Sequence, residues 1–426
     1  MTGEELQLII DNHEGKEYKA EYQQAYARGN HVAINQPFPR PAPDNRKSVP
    51  FIKRAIAMIK GYMSQPGNIT YSGEYYDNVL KAIFDFNDEA LVTSNELEDG
   101  LIFGKYFELH WFQDGEKHFY PIPIDQAIPV YDDGLKPKLS GFIWYREIGE
   151  TCVATVYNSM TYQEWTKAED GKVWTPGEEL PHGYGMVPVN CGKISRDCSN
   201  MFDHVLGLID LYDKIISEDF ANEAERYAAA YMLLGTQIND VDQDSNGRTD
   251  LDNIKHSRVI QDLGDNVTSK VAFLTKNIPT QFMELTQKTV ERLIYEMLMI
   301  VNPSDDTFAT ASGVAQAYKL LGMEYLCAGI ETFLSMFLQN RIKIISGLES
   351  TLGGSTEGSD QVNIKFTRNL PKNLVELAQV ASTLKGTLSD ETILGLFPAN
   401  IIPDVKAELE KTKATEPGMV DTLNAQ

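Results

Sequence analysis

Apolar side chains recur at three- and four-residue intervals along several stretches of the chain, the spacing that gathers them on one helical face. Phe282, Leu285, Val290, Leu293, Ile294, Met297 and Leu298 predict a helix over residues 279–300. Beyond it, residues 314–345 carry only five charges, Lys319, Glu324, Glu331, Arg341 and Lys343. A helix of that length spans roughly 45–50 Å and is apolar over most of its circumference, so it must be covered on several sides. Either it is the core helix of a large monomer, or part of its cover comes from another subunit. Between the two helices runs a polar loop, residues 302–312, that includes Asn302, Ser304, Asp305, Asp306, Thr307 and Phe308.

Similar periodicity predicts helices over residues 50–63 and 76–97. Another is expected over residues 201–227, with Val205, Leu208, Tyr212, Ile215 and Ile216 on one stripe. Phe107, Leu109 and Trp111 alternate with other residues as in a strand, and Asp114-Gly115 marks a hairpin after them. Strands are expected at residues 142–145 and 152–157, at 231–234, 258–260 and 271–274, and at 362–366, after a Gly/Ser loop. Helices over residues 372–385 and 403–413 complete an α+β chain, with a frayed tail over 415–426. Residues 1–44 are polar and end in a proline-rich run, so they are expected to form an extended arm.

The length of 426 residues suffices for two or three compact domains or one subunit with several lobes. Four cysteines, with no CxxC pair, fit neither a disulfide framework nor a zinc site, and suit a reducing cytoplasm. The acidic N-terminus lacks the features of a signal peptide, and charges interrupt the most apolar helix, so no membrane span is expected. The net charge of −23, from 38 Lys and Arg against 61 Asp and Glu, argues against tight binding to duplex DNA. Net acidity of this kind suffices to keep a protein soluble.

Candidate chemistry is sparse. Asp242, Asp244, Asn246, Gly247 and Asp250 fit positions of a calcium loop, but Asn253 stands where the bidentate Glu belongs, so no metal is expected. The seven histidines show no HExxH spacing, and Walker A, GxGxxG and GxSxG motifs are missing; neither a cofactor nor catalysis is expected. His110 and His118 flank the hairpin and could face each other.

Ser304-Asp305-Asp306-Thr307-Phe308-Ala309, followed by Ala311-Ser312-Gly313-Val314-Ala315 and Tyr318-Lys319-Leu320, resembles the most characteristic motif of the portal proteins of long-tailed bacteriophages. Other segments agree in order: Asn45-Arg46-Lys47 with Val49-Pro50-Phe51, Gly104 to Leu109, Ile128-Pro129-Val130-Tyr131, Gly185-Met186-Val187-Pro188-Val189, Leu208 to Asp213, and Phe366-Thr367-Arg368-Asn369-Leu370-Pro371. The sequence departs from the family at Thr310 and Ala311, where a second Asn is common, and at Cys191 and Cys198, which replace an acidic or Asn-rich run.

The resemblance implies an α+β portal fold: an arm (1–44), a wing (45–200), stem helices (201–227 and 278–301), a small α/β clip (228–277), a tunnel loop (302–312), a long tunnel-lining helix (313–350), a return strand (351–371) and a short helical crown (372–414). It also implies a dodecameric ring at one vertex of a virion, assembled in the host cytoplasm. DNA would pass through that ring without tight binding. The expected partners are the terminase large subunit, a head-completion adaptor, and the major capsid and scaffolding proteins, with no membrane involved. Leu326 and Phe333 are expected in subunit packing, and Asp240, Asp242, Lys255 and Arg258 at the partner-docking surface of the clip. The competing reading is a monomeric, calcium-stabilised enzyme or binding module.

Overall fold

A computed structural model describes residues 2–35, 46–168, 173–217, 231–232, 273–274, 280–302, 313–368, 374–397, 402, 405 and 408–411. The N-terminal segment is not an extended arm. Helix α1 spans Gly3–Arg28. Its start is a capping box: the Thr2 hydroxyl accepts from the Glu5 amide at 3.2 Å, while the Glu5 carboxylate accepts from the Thr2 amide at 2.7 Å. Leu6 and Ile10 near one end and Tyr26 near the other are buried, so each end docks on a different part of the molecule. The proline-rich run that suggested an arm lies outside the described residues.

Helix α2, Phe51–Met63, buries Ile52, Ala55, Ile56, Ile59 and Met63, the stripe expected of an amphipathic helix. The single helix expected over residues 76–97 is instead broken. A π turn at Tyr76–Leu80 runs into α3, Lys81–Phe86, and a new helix, α4, covers Glu89–Phe103. The break is at Asn87-Asp88. Asp88 adopts φ 51°, and the Asn87 side chain donates to the carbonyls of Ile83 and Lys117 and accepts from the Phe119 amide. Those contacts to a distant strand outweigh one more turn of helix, and Asp tolerates the left-handed conformation better than most residues.

Three strands, β2 (Lys105–Gln113), β3 (Glu116–Ile122) and β9 (Val189–Lys193), form an antiparallel sheet of order β3-β2-β9. The Asp114-Gly115 hairpin is as expected, with φ 55° and 87° at its two central residues. The two histidines beside it do not face each other. His110 is opposite Phe119 and points inward, while His118 is opposite Trp111 and stacks on it at 4.9 Å. Entry into β2 requires Gly104, at φ 80°, because a Cβ there would lie 2.1 Å from the Cys198 carbonyl oxygen.

A second sheet is an antiparallel meander of β4 (Ala127–Tyr131), β5 (Leu139–Ile148), β6 (Thr151–Tyr157), β7 (Thr161–Ala168) and β8 (Thr175–Pro181). One face, with Ile128, Ile143, Ala154 and Trp165, packs on Leu6 and Ile10 of α1. The other, through Phe142 and Tyr157, meets Phe107, Leu109 and Val189 of the first sheet. Strand β1, Ile69–Ser72, pairs with the late strand β12, Asn363–Phe366, closing the chain back on its first half. Tyr231–Met232 (β10) pairs with Phe273–Leu274 (β11).

Helices α5 (Leu206–Lys214) and α6 (Thr280–Met297) pack together beside α2, where Phe51 sits edge-on to Tyr212 at 5.0 Å and to Tyr295 at 5.7 Å. Helix α7 runs 40 residues, Gly313–Leu352, roughly 60 Å. Two short helices follow, α8 (Leu374–Leu384) and α9 (Asp390–Leu394), the latter capped by the Ser389 hydroxyl.

The sequence expectation that charges rule out a membrane span needs correction. By length and composition Tyr318–Leu352 is apolar enough to cross one. Packing gives a different reason for that apolarity in its C-terminal half. Leu334, Phe337, Leu338, Ile342, Ile344, Ile345 and Leu348 are buried there within this chain.

Candidate functional surface

Helix α7 has two unlike halves. Its N-terminal half buries Met323, Cys327 and Ile330, but leaves Tyr318, Leu321 and Tyr325 exposed on the opposite side, Tyr318 at 73% and Tyr325 at 68%. Thr332 and Met336 continue this stripe, with Gly322, Ala328 and Gly329 among them. From Tyr318 to Asn340 no Asp, Glu, Lys or Arg is exposed on the helix, since Lys319, Glu324 and Glu331 are half-buried; the exposed Lys343 ends the uncharged stretch. An uncharged stripe of aromatic, aliphatic and small residues over about five turns is the composition of a helix contact, and the small residues let a neighbouring backbone approach.

The C-terminal half is locked by Arg341, whose guanidinium is fully buried. It donates from Nε to Glu108 Oε2 at 2.8 Å, from Nη1 to Glu89 Oε1 at 2.9 Å and Thr93 Oγ1 at 2.8 Å, and from Nη2 to Glu96 Oε2 at 2.6 Å. Glu89, Thr93 and Glu96 sit three and four residues apart on α4, so they share one face of it. Glu108 comes from β2, where its neighbours on both faces are also buried. Around the charges, the Tyr71 hydroxyl donates to Glu89 at 2.6 Å, and His110 Nε2 lies 2.9 Å from Glu108 Oε1. The guanidinium also stacks 4.7 Å from the Phe119 ring.

Three carboxylates around one cation cannot all ionise cheaply in a buried site. Burial, then the charge of Glu108, pushes the Glu96 carboxyl well above its ordinary range despite Arg341. Burial works against ionisation of Glu108 too, but Arg341 and His110 outweigh it and hold Glu108 down at about 2. Of the two, Glu96 is therefore the carboxyl whose proton is favoured, and Glu108 the one whose charge is held opposite Arg341. Sequence reasoning missed this cluster. Its signal was a lone Arg in an apolar helix, together with two Glu seven residues apart on another.

A second, partly exposed set of ion pairs joins the N-terminal half of α7 to Arg368, two residues beyond β12. Arg368 donates to Glu324 at 3.2 Å and also pairs with Glu331, and the Tyr62 hydroxyl donates to Glu324 at 2.7 Å.

The residues singled out from sequence fall unevenly on this picture. Leu326 is half-buried against the main core, and Phe333 is half-buried with Lys193 Nζ 5.5 Å from its ring, so neither lies on the exposed stripe. Asn302 is described as the chain leaves α6. Ser304, Asp305, Asp306, Thr307 and Phe308, the clip residues Asp240, Asp242, Lys255 and Arg258, and the calcium-like loop lie outside the described residues. Among the described residues no cluster of His, Cys, Asp and Glu could hold a metal.

No curated protein matches the chain. Among solved structures it is similar to a chain in the neck of an empty gene transfer agent particle computed with sixfold symmetry. That pair shares 12% identity at a TM-score of 0.42, covering 82% of this chain and 89% of the other. It is likewise similar to a chain in the virion of a native gene transfer agent particle, at 12% identity and a TM-score of 0.44, covering 86% and 97%. The family model described as phage portal protein, SPP1 Gp6-like, matches residues 8–417. With nearly its whole length inside that match, the chain belongs to the phage portal protein family.

Proposed function

We propose that the protein assembles into a closed ring, a dodecamer, at one vertex of a phage head, and that double-stranded DNA passes through its centre during packaging and ejection. The observation that carries this reading beyond family membership is the uncharged, exposed stripe on the N-terminal half of α7. A monomer gains nothing by leaving Tyr318, Leu321, Tyr325 and Met336 bare along about five turns, whereas a head-to-tail ring buries the same stripe at every interface. The C-terminal half, held by Arg341, gives that stripe a rigid base.

In this assignment residues 45–200 form the wing, residues 201–227 and 278–301, with α5 and α6, the stem, residues 228–277 the clip and residues 372–414 the crown. Residues 302–312 line the tunnel, where Asp305 and Asp306 would face DNA that slides rather than binds, consistent with the net charge of −23. The terminase large subunit supplies the energy, so the ring itself is structural and not an enzyme. Partner recognition by the terminase and the head-completion adaptor is assigned to the clip, through Asp240, Asp242, Lys255 and Arg258. The major capsid and scaffolding proteins are further partners in this reading.

Electron microscopy of the purified protein tests the proposal directly. Closed rings with a central channel are expected. A uniform particle of 47.8 kDa, with or without scaffolding protein, would overturn it.

A further inference from the structure

Strand β1 pairs with β12 on one edge, and the ribbon has only these two strands. The Thr367 amide donates to the Asn68 carbonyl at 2.7 Å, so hydrogen-bonded rungs recur at Thr70–Lys365 and Ser72–Asn363. The backbone amides and carbonyls of Ile69 and Tyr71 therefore point away from β12. On that side lies a cavity of about 650 Å³, whose wall includes Ile69, Thr70 and Tyr71 but no residue of β12. The other outer strands of the sheets are blunted or covered. Strands β3, β4 and β8 carry Pro121, Pro129, Pro176 and Pro181, and β9 packs on α7, where the Asn190 side chain donates to the Phe337 carbonyl at 2.9 Å. Strand β1, Ile-Thr-Tyr-Ser, has neither proline nor charge.

The far wall of the cavity, from the π turn, α3 and the start of α4, is acidic and partly apolar. Residues 73–91 carry five carboxylates against one cation, Lys81. Glu89 is committed to Arg341, whereas Asp85 and Asp88 line the cavity and form no ion pair or side-chain hydrogen bond among the described residues. Burial, then the charges of Asp85, Glu89 and Asp77, push the Tyr76 hydroxyl up in the same wall. Leu91 adds an apolar side chain that is 60% exposed. We propose that the open edge of β1 receives an extended basic segment of a partner protein as a third strand. Its backbone pairs with Ile69 and Tyr71, its lysine or arginine side chains meet Asp85 and Asp88, and an apolar side chain packs on Leu91. Strand addition draws affinity from main-chain hydrogen bonds and specificity from alternate side chains. Charge favours such a partner over a second copy of this chain, since a surface of net charge −23 is repelled by the acidic wall. The site is complete within one chain, so it stands apart from the ring contact on α7.

The test uses the full-length protein and a fluorescein-labelled octapeptide of alternating lysine and valine, with the alternating glutamate and valine octapeptide as control. Fluorescence anisotropy should show saturable binding of the basic peptide alone, weakened at least about tenfold by Asp85→Lys and by Ile69→Pro. Proline at position 69 removes an outward-facing amide and spares the rungs with β12. Hydrogen exchange, read by mass spectrometry with electron-transfer fragmentation, should slow at the Ile69 and Tyr71 amides when the peptide binds. If Ile69→Pro lowers the melting temperature, Asp85→Lys at an exposed helical position and the exchange measurement still decide. Absence of saturable binding, unchanged affinity in Asp85→Lys, or binding that leaves both amides unprotected would each overturn the proposal. So would assembled rings in which both amides are already protected and the peptide is excluded, which would assign the edge to a neighbouring subunit.

Discussion

Arg341 and Glu108 face each other at 2.8 Å with both side chains fully buried, tying the middle of a 40-residue helix to the central strand of the three-stranded sheet. A charge pair so placed contributes little net stability while intact, yet removing one member leaves the other buried and uncompensated. Arg341 acts as a registration pin: α7 cannot slide or rotate against the sheet and α4 together without breaking its donor contacts to Glu108 on β2 and to Glu89, Thr93 and Glu96 on α4.

Arg341→Met should therefore cost about 3–5 kcal/mol, because the Glu108 charge loses its partner. Adding Glu108→Gln to that variant should recover a substantial part of the loss. Urea unfolding of the two single variants and the double variant gives the coupling. Additive effects would mean that the pair is not linked as described.

The cluster also makes a signed prediction for pH. Glu96 has a folded pKa above its ordinary value of 4.5, so its contribution to stability is complete below about 4.5 and is lost as pH rises toward the folded value. Glu108 is depressed to about 2, so its contribution is present above about 4.5 and is lost as pH falls toward 2. Glu96→Gln should flatten the decline in urea midpoint above pH 4.5 and leave the acid limb unchanged. Parallel curves for wild type and variant above pH 4.5 would show that Glu96 is ionised in the folded state.

On the exposed stripe, Tyr325→Asp and Met336→Asp should abolish rings while changing subunit stability by no more than about 0.5 kcal/mol, as is usual for exposed sites. Leu326→Asp and Phe333→Asp should lower subunit stability as well, since both side chains pack partly within the chain. Analytical ultracentrifugation alongside thermal melting separates the two classes. Normal rings from Tyr325→Asp would place the subunit contact elsewhere.

Two loop predictions concern assembled particles. Asp305→Ala should leave rings intact and lower the DNA retained in heads after nuclease treatment, if the 302–312 loop contacts moving DNA. Charge reversal at Lys255 or Arg258 should weaken pull-down of the terminase by assembled rings and alter its salt dependence, because charged rim residues act on association. Unchanged packaging in the first case, or unchanged docking in the second, removes that role.

The sequence by itself determined the local elements with strong periodicity. The stripes in residues 50–63, 279–300 and 314–345 give helices at Phe51–Met63, Thr280–Met297 and Gly313–Leu352, and Asp114-Gly115 gives its hairpin. These follow from side-chain spacing and backbone sterics, which act over a few residues. The motif order also carried the family, since it was spread over most of the chain. Only the tertiary structure decided features that depend on residues far apart. A capping box and two docked ends make residues 3–28 a helix that overall polarity concealed, and a side chain reaching from Asn87 to β3 breaks the helix expected over 76–97. Whether a charge on α7 is solvated or buried was undecidable from spacing. Arg341 is tolerated in the core only because Glu89, Glu96 and Glu108 converge on it from a helix and a strand more than 230 positions earlier, and desolvation makes that convergence a condition of burying the charge.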